Sequence, residues 1–378
     1  MAPLRILELI VSTDPGGGPA QVHELVARLP RPQLTATVAG PGGGPYGALF
    51  AGSGARFVDV HTHRLAFRPF FEVLRLIRQE GIDLVHSHGK GAGLYGRLAA
   101  RRAGIPSIHT FHGIHYADYR AGLGRAYLVL ERGLARITQA IVHVSESQAL
   151  EAAGLSLAPP QRSHVIVNGI DAERVAGAAM TREAARESLH LEPEALVIGT
   201  MARFDPVKAL DALLRAFAIV ANAQPDACLV LLGDGPGASR LRSLAAALGI
   251  EARVRFPGFV PEASRLLPAL DLYASASRKE GLPLALLEAM ACGLPVAATR
   301  VPGHMDVVEQ GVTGLLVAPD DRHALGRAMC DLMTEPAGRK AMGQAGRQRV
   351  LNRFAASRMA AETADLYRLV AGRFARGR

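Results

Sequence analysis

The sequence predicts an α/β protein with two doubly wound parallel sheets, and three observations support this fold class. Short apolar runs alternate with longer amphipathic stretches along the whole chain of 378 residues, and this alternation is typical of right-handed βαβ units. That length is about twice what one ordinary domain needs. The two halves also begin alike, each with an apolar strand, a loop holding Asp-Pro (at 14–15 and 205–206) and an amphipathic helix.

Each strand is predicted from a short apolar run between loops. In the first half these runs cover residues 5–11, 34–39, 56–60, 82–86, 107–110, 140–144 and 164–167. A charged helical stretch at 181–190 precedes a second series at 195–201, 227–232, 253–256, 270–274, 295–298 and 314–317.

The two series predict an N-terminal domain over 1–180 and a C-terminal domain over 181–355, with a linker near 171–193. A last helix, from about 356 to 374, follows every strand and needs a surface to pack on, for which the first domain is a candidate. Ligands of doubly wound sheets bind outside the carboxyl ends of the strands. Two facing domains are therefore expected to enclose a cleft.

Composition excludes several classes of protein. Apolar residues make up 49% of the chain, which predicts a globular protein, and no apolar run reaches the ~18 residues of a membrane span. The first ten residues predict a strand and lack the regions of a signal peptide. The three cysteines, Cys228, Cys292 and Cys330, have no pairing or metal spacing, which fits a reducing compartment. A cytoplasmic location is expected.

The net charge of +9 is unevenly distributed. Residues 56–136 hold 13 Lys and Arg against 6 Asp and Glu. One interpretation is a solvated, Arg-rich surface. The other is a face that meets anionic lipid, at the inner side of a membrane, or a phosphorylated acceptor. Nucleic acid is not expected as a partner, because no recognised binding motif is present.

Two carboxylates, Glu280 and Glu288, stand eight residues apart and mark the strongest candidate site. Pro283 is expected as the first helical residue, and Gly293 and Pro295 end the helix. Glu288 then lies about 7–8 Å along the axis from the helix start. A helix N-terminus attracts phosphate, and carboxylates bind sugar hydroxyls, so the arrangement predicts a nucleotide-sugar site.

Two cations follow the first strand of the second half. Arg203 is expected at the strand end and Lys208 in the first turn of the next helix. A cation opposes the helix dipole there, so Lys208 needs a reason for its position, and a diphosphate is one. The alternative is an exposed lysine on a solvated face.

Two glycine loops follow strands. The loop 14–19, with Gly16 and Gly17, precedes a predicted helix at 20–29, and glycines let a backbone approach phosphate closely. It lacks the G-x-G-x-x-G fingerprint, and the second strand ends without an acidic residue, so NAD binding is disfavoured. The loop 233–237 begins with Gly233 and is a candidate for nucleotide contact. For both loops, a simple turn remains an alternative.

Histidines follow two strands of the first half. His112, in front of Gly113, lies at a strand end, where sites of this architecture form. His86 and His88 could bind a metal as a pair, but no third ligand is evident, and acceptor contacts or a structural role are favoured.

In these residues the chain resembles the retaining glycosyltransferases of family 4 (group 1), which have two facing Rossmann-like domains, the GT-B fold. The resemblance covers essentially the whole chain. The motifs that carry it are Glu280-x7-Glu288 with the following Ala-Met-Ala-Cys-Gly-Leu-Pro-Val, the pair Arg203 and Lys208, the loop at Gly16-Gly17, Thr-Phe-His-Gly at His112, Asn168-Gly-Ile-Asp171 and the segment 311–319.

The resemblance implies roles for these residues. Arg203 and Lys208 would neutralise the diphosphate, Glu280 would bind the hydroxyls of the donor sugar, and Glu288 the ribose. The remaining implied contacts are the backbone amides near Gly281, Leu282 and Leu284 and the loop at Gly16 and Gly17, which would complete the phosphate cradle, and His112, which would reach the sugar from the acceptor side.

The implied function is that of a hexosyltransferase. It would move a sugar, with retention, from a UDP- or GDP-type donor to a glycan, lipid-linked or small-molecule acceptor in bacterial cell-surface polysaccharide or glycolipid synthesis. No cofactor or metal is expected, because cations and helix amides meet the charge on the leaving diphosphate and no Asp-x-Asp motif follows a strand. A nucleotide-sugar 2-epimerase on the same fold and a non-catalytic nucleotide-sugar-binding subunit remain alternatives.

The chain departs from the family pattern at three places. Ala209 stands where a Gly often follows the Lys, Leu282-Pro283 replaces Phe-Gly, and Asp306 stands where a Glu is common. The proline tightens the loop beside the sugar and leaves the identity of that sugar open.

Overall fold

A computed structural model describes residues 3–62, 66–114 and 121–377, without the side chain of Ala121. The chain forms two compact units. The first comprises Met1–Gly169 together with Ala356–Arg378, and the second comprises Ile170–Ala355. The last segment therefore lies in the same unit as the first 169 residues, although the whole second unit separates them in sequence.

The first unit contains a seven-stranded sheet in which every neighbouring pair is parallel, with the order β3-β2-β1-β4-β5-β6-β7. Its strands are β1 (Leu4–Leu9), β2 (Leu34–Gly40), β3 (Arg56–Asp59), β4 (Leu84–His88), β5 (Ser107–Phe111), β6 (Ala140–His143) and β7 (Ser163–Val165). The helices that follow these strands are α1 (Gly17–Ala27), α2 (Tyr46–Gly52), α3 (Arg68–Glu80), α4 (Lys90–Ala103), α5 (Ala121–Ala135) and α6 (Glu146–Gly154).

The second unit contains a six-stranded parallel sheet with the order β10-β9-β8-β11-β12-β13. Its strands are β8 (Leu196–Met201), β9 (Ala227–Leu232), β10 (Val254–Gly258), β11 (Leu272–Ser275), β12 (Val296–Thr299) and β13 (Gly314–Val317). Its helices are α7 (Ala172–Ala178), α8 (Arg182–Ser188), α9 (Leu210–Ala223), α10 (Ala238–Ala247), α11 (Leu284–Ala291), α12 (His304–Val307), α13 (Arg322–Thr334) and α14 (Pro336–Arg353).

Both sheets confirm the predicted doubly wound class. In each one the strand order reverses beside the first strand of the unit, next to β1 and next to β8. The loops after β1 and β8 thus lie at the topological switch points, where such sheets bind ligands. Thirteen strands overlap the thirteen predicted runs, with ends that differ by up to two residues.

The last helix, α15 (Ala356–Arg376), completes the core of the first unit. It buries Met359, Ala364 and Tyr367 against apolar side chains of the central strands, including Ile6 and Ile108. Burial of this apolar stripe explains why the segment packs where it does.

The border between the units differs from the predicted one. Residues 170–180 belong to the second unit, because the Ile170 amide donates to the Phe354 carbonyl at 2.8 Å and the Met180 amide donates to the Arg265 carbonyl at 2.9 Å. The predicted helix at 20–29 also begins earlier, at Gly17, and ends at Ala27.

Candidate functional site

The central contact of the second unit joins two of the predicted site residues. The Lys208 ammonium donates to Glu280 Oε1 at 2.7 Å. Both side chains are largely buried, with 28% and 10% of their surfaces exposed. Lys208 arrives from the segment after β8 and Glu280 from the segment after β11, and these two strands are neighbours in the sheet.

Lys208 does not lie in the first turn of a helix, as predicted. It ends a short 3₁₀ turn, Pro206–Lys208, and α9 begins only at Leu210. Ala209 joins the two with a left-handed backbone (φ 48°), a conformation that glycine adopts without strain and alanine does not. This position of Lys208 removes the expected conflict with the α9 dipole.

Glu280 is held as a carboxylate. Burial raises its pKa, but the Lys208 ammonium, with help from His304 and a hydrogen bond from Ser277, brings that pKa below its ordinary value. His304 is itself fully buried. Its Nδ1–H donates to the Thr299 carbonyl at 2.8 Å, which leaves Nε2 to accept from the Ser275 hydroxyl at 3.1 Å.

Glu288 lies in the second turn of α11. This helix begins at Leu284, one residue later than predicted, because Pro283 has an extended backbone (ψ 99°) and precedes the first turn. The helix ends at Ala291, before Gly293 with φ 78°, as the sequence predicts. Both Glu280 and Glu288 lie near Tyr273, whose pKa burial raises to about 12 with a further contribution from the two carboxylates.

Arg203 follows β8 and is mostly exposed. Its guanidinium pairs with Asp205, with Nε donating to Oδ2 at 2.7 Å. The backbone around it is held by the glycine loop 233–237: the Phe204 amide donates to the Asp234 carbonyl at 2.9 Å. A Cβ at Gly233 would lie 2.0 Å from the Ala202 carbonyl oxygen. Gly233 therefore has a structural reason to be glycine, and its contact with a nucleotide stays a prediction.

A loop after β12 packs against the Glu280 segment. Gly303 has φ 82°, and a Cβ there would lie 2.8 Å from the Gly281 carbonyl oxygen and 2.9 Å from Glu280 Cβ. Asp306 accepts from the Gly303 amide at 3.1 Å and so closes this loop. The backbone of Glu280 and Gly281 therefore packs against Gly303, a position that only glycine can occupy without a clash.

In the first unit, Gly16 and Gly17 lie at the start of α1. A Cβ at Gly17 would meet no atom within 4 Å, and one at Gly16 only the Asp14 oxygen at 4.0 Å. Protein packing therefore does not require glycine here. A Cβ at Gly18 would lie 3.6 Å from the ring of His112, which follows β5. The predicted phosphate loop and the predicted His112 are thus neighbours.

A cluster of buried polar side chains lies next to His112. Glu8, from β1, is fully buried, and its carboxylate lies within hydrogen-bonding distance of His88 (2.8 Å) and Tyr367 (2.6 Å). No third ligand for His86 and His88 is evident in the sequence, but the structure supplies one, since the ligand atoms of Glu8, His86 and His88 all lie within 4.8 Å of one another. Sequence spacing could not show this, because β1 and β4 meet only in the sheet.

Family models match both halves of the chain. The model of the glycosyl transferases group 1 matches residues 181–349, and that of glycosyltransferase family 4 matches residues 15–174. A D-inositol 3-phosphate glycosyltransferase of Thermobispora bispora is 34% identical over 302 residues, which cover 75% of this chain and 70% of that protein. The chain belongs to the group 1 glycosyltransferases.

Two further relatives show the extent of the likeness. A D-inositol 3-phosphate glycosyltransferase of Salinispora tropica is 34% identical over 308 residues, covering 75% of this chain but only 63% of that protein. Anabaena Alr3699/HepE, in complex with UDP-glucose, has the same fold at 22% identity, with a TM-score of 0.85 over 96% of this chain and 99% of that one. The GT-B fold expected from the sequence is confirmed.

Sequence reasoning missed three groups that lie beside the predicted site residues, one in the first unit and two in the second. Glu8 was hidden in an ordinary strand pattern, and its only signal was a charge in the middle of an apolar run. Gly303 and His304 lie in a loop after a strand and belong to none of the sequence motifs named above. Their importance comes from contacts with the Glu280 segment and with β11, which no local pattern encodes.

Proposed function

We propose that this protein transfers a sugar from a nucleotide-sugar donor to an acceptor hydroxyl. The observation that carries the proposal is the Lys208–Glu280 ion pair beside the start of α11, in a chain of the group 1 glycosyltransferase family. A buried carboxylate kept ionised can accept hydrogen bonds from sugar hydroxyls, and the adjacent helix N-terminus favours phosphate.

Different residues of the second unit are assigned to different parts of the donor. We assign the diphosphate to Arg203, Lys208 and the first amides of α11, which lack carbonyl partners within the helix. We assign the sugar hydroxyls to Glu280 and the ribose to Glu288. Departure of the nucleoside diphosphate leaves negative charge on its β-phosphate, and fixed cations and amides aimed at that charge stabilise the transition state.

In the first unit, the start of α1 at Gly16 and Gly17 offers a second set of amides to phosphate, and a Cβ at Gly17 would meet no atom within 4 Å. His112 is assigned to the transferred sugar. These cations and amides supply the charge that a divalent metal would otherwise provide, so we propose that turnover persists in excess EDTA.

We propose retention at the anomeric carbon through front-face attack guided by the leaving phosphate. Retention with a covalent intermediate needs a carboxylate nucleophile across the sugar, whereas Glu280 is bound to Lys208 and assigned to hydroxyls. Product anomers are to be read by NMR. A covalent glycosyl-enzyme trapped in Glu280→Gln would contradict this mechanism.

The identity of the nucleotide-sugar donor is the first property to determine. The HepE structures that share this fold are complexes with UDP and with UDP-glucose, so UDP-sugars head a thermal-shift screen that includes GDP- and ADP-sugars. Stabilisation grows as RT ln(1 + [L]/Kd). A labelled donor then separates three outcomes: transfer to an acceptor supports the proposal, whereas a released 2-epimer or binding without turnover supports one of the two alternatives.

The acceptor and the cellular setting form a second proposal. We propose a glycan or lipid-linked acceptor of cell-surface polymer synthesis, used at an anionic membrane surface. No helix of the described chain has the length and apolar character to cross a bilayer. In the basic stretch 56–136, of which Arg64 and Arg120 lie outside the described residues, Phe67 and Phe71 are 87% and 62% exposed at the start of α3.

Exposed aromatic rings beside arginines are the pattern of an interfacial helix. Binding to vesicles with anionic lipid should fade as salt is raised, because attraction between exposed charges is screened over ~8–10 Å. Phe67→Ser with Phe71→Ser should weaken it further. No binding, or binding that salt does not affect, would remove the membrane from the proposal.

A further inference from the structure

We propose that Glu8 and His88 are positioning residues that fix the ring orientation and the tautomer of His112 through a buried hydrogen-bond chain. The inference rests on the proposed function only for the role of His112 at the sugar. The hydrogen-bond chain lies wholly within the first unit and begins at Glu8 of strand β1.

The contacts run in one line from the core to the site. His88 Nε2 lies 2.8 Å from Glu8 Oε2, and His88 Nδ1 lies 3.0 Å from His112 Nε2. Glu8 and His88 are 0% and 2% exposed, whereas His112 is only half-buried. The rings of His88 and His112 are stacked, with centroids 5.2 Å apart.

Each contact fixes the direction of the next. An ionised carboxylate only accepts, so His88 must carry its proton on Nε2. Neutral His88 then has a lone pair on Nδ1, and His112 must donate to it from Nε2. Nδ1 of His112 is left as an acceptor, and no described residue bonds to it. A hydroxyl can therefore donate to it.

The electrostatics agree with this assignment. Burial raises the pKa of Glu8, but His86 and the hydrogen bonds of both imidazoles hold that pKa well below its ordinary value. Burial and the nearby His86 lower the pKa of His88 to about 4. Burial and the same two histidines lower the pKa of His112. The chain is thus one carboxylate and two neutral rings near pH 7.

The same cluster has the donor set of a metal site, but its hydrogen bonds are already complete. Tyr367 donates to Glu8 Oε1, so His86 Nδ1–H donates to the Tyr367 oxygen at 2.6 Å. His86 Nε2 bonds to the Thr110 hydroxyl at 2.7 Å. Both nitrogens of His86 and of His88 therefore have partners among the described residues, and we assign the cluster as a hydrogen-bond network.

The first test uses the unaltered protein labelled with ¹⁵N-histidine, with His112→Gln and His88→Gln spectra to assign the signals. Two-bond ¹⁵N–¹H correlations at pH 7.5 should show His88 and His112 both protonated on Nε2 and unprotonated on Nδ1. A proton on Nδ1 of either ring, an imidazolium, or the shifts of a metal-bound nitrogen would overturn the assignment. This readout needs no substrate, so it is independent of the proposed reaction.

The second test separates positioning from folding. His88→Leu should lower kcat about 10–100-fold, on the scale of lost outer-shell partners, with donor KM changed less than about twofold. His88→Gln, which keeps a donor and an acceptor, should recover part of that loss. Ser87→Ala is the control: Ser87 bonds to His109 (3.0 Å) from the same strand but not to this chain. Normal kcat in His88→Leu would overturn the inference. If that variant does not fold, the spectra and His88→Gln decide.

Discussion

Lys208 contacts a carboxylate in the free protein, and in the proposed complex it also contacts the diphosphate. Its ammonium lies 2.7 Å from Glu280 Oε1. An ion pair that is largely buried loses more when one partner is removed than the intact pair contributes. Loss of activity on substitution of Lys208 would therefore combine a lost phosphate contact with a displaced Glu280.

The cations Arg203 and Lys208 give the first prediction. Arg203→Ala and Lys208→Ala should each lower kcat/KM by a factor that corresponds to at least about 2–3 kcal/mol, the scale of one lost preorganised donor. The affinity for UDP alone, measured by calorimetry, should fall in both variants, because UDP has the diphosphate but lacks the transferred sugar.

Arg240→Ala is the matched control. Arg240 is an exposed arginine of the same unit, paired with Asp211 at 3.3 Å, so its removal changes the net charge equally and should leave both quantities unchanged. Near-normal turnover of Arg203→Ala and Lys208→Ala would contradict the diphosphate assignment.

At the scale of elements, the loop after β12 supports the loop after β11. Gly303 combines a left-handed backbone with close contact to the Glu280–Gly281 backbone. Gly303→Ala should therefore displace Glu280 and lower kcat/KM at least about tenfold, beyond the ~1–2 kcal/mol of stability that a side chain costs in this conformation.

Gly311 provides the control for backbone strain. It also has a left-handed backbone (φ 75°), but a Cβ there would meet no atom within 4 Å. Gly311→Ala should lose similar stability in thermal denaturation while keeping its activity. If Gly303→Ala kept its activity as well, the loop after β12 would have no part in placing Glu280.

The same elements show what the sequence could and could not predict. Strands such as β8 and β11 were predictable, because an apolar run between glycine or polar loops is a local signal. The helix start near Lys208 was predicted two residues too early, because an alanine at position 209 gives no sign in the sequence of a left-handed backbone. Pairings such as Glu8 with His88, or Gly303 with Gly281, join segments distant in sequence, and only the sheet order brings them together.

At the scale of the whole molecule, the chain leaves the first unit and returns to it through α15. Truncation before Ala356 should expose the core that Met359 and Tyr367 cover, because this unit then lacks the apolar face that closes it. Hydrogen exchange should show rapid loss of protection in β1 and β4, with β8 and β9 of the second unit still protected. Truncation after Val370, which keeps that apolar face, is the control. Unchanged protection without α15 would contradict its structural role.

The first unit should begin to lose stability as the pH falls below 6.5, the ordinary pKa of histidine. Burial lowers the pKa of His88 to about 4, and burial with a contribution from His164 lowers that of His143 to about 4, both from 6.5. Below pH 6.5 the unfolded chain binds protons at these residues that the folded chain does not, so stability falls as pH decreases towards 4. When the pH is lowered from 7.5 to 5.5, each of these two histidines should lower the free energy of unfolding by about 1.4 kcal/mol.

His143→Phe tests this linkage on a residue outside the Glu8 network. Neither nitrogen of His143 has a hydrogen-bond partner among the described residues, and its ring stacks on Phe111 with centroids 6.2 Å apart. A phenyl ring keeps that stacking, leaves no unpaired nitrogen and cannot be protonated. Hydrogen exchange of β6 at the two pH values should show the acid loss reduced by about 1.4 kcal/mol. An equal loss in both proteins would mean that folding does not lower the pKa of His143, and it would contradict this linkage.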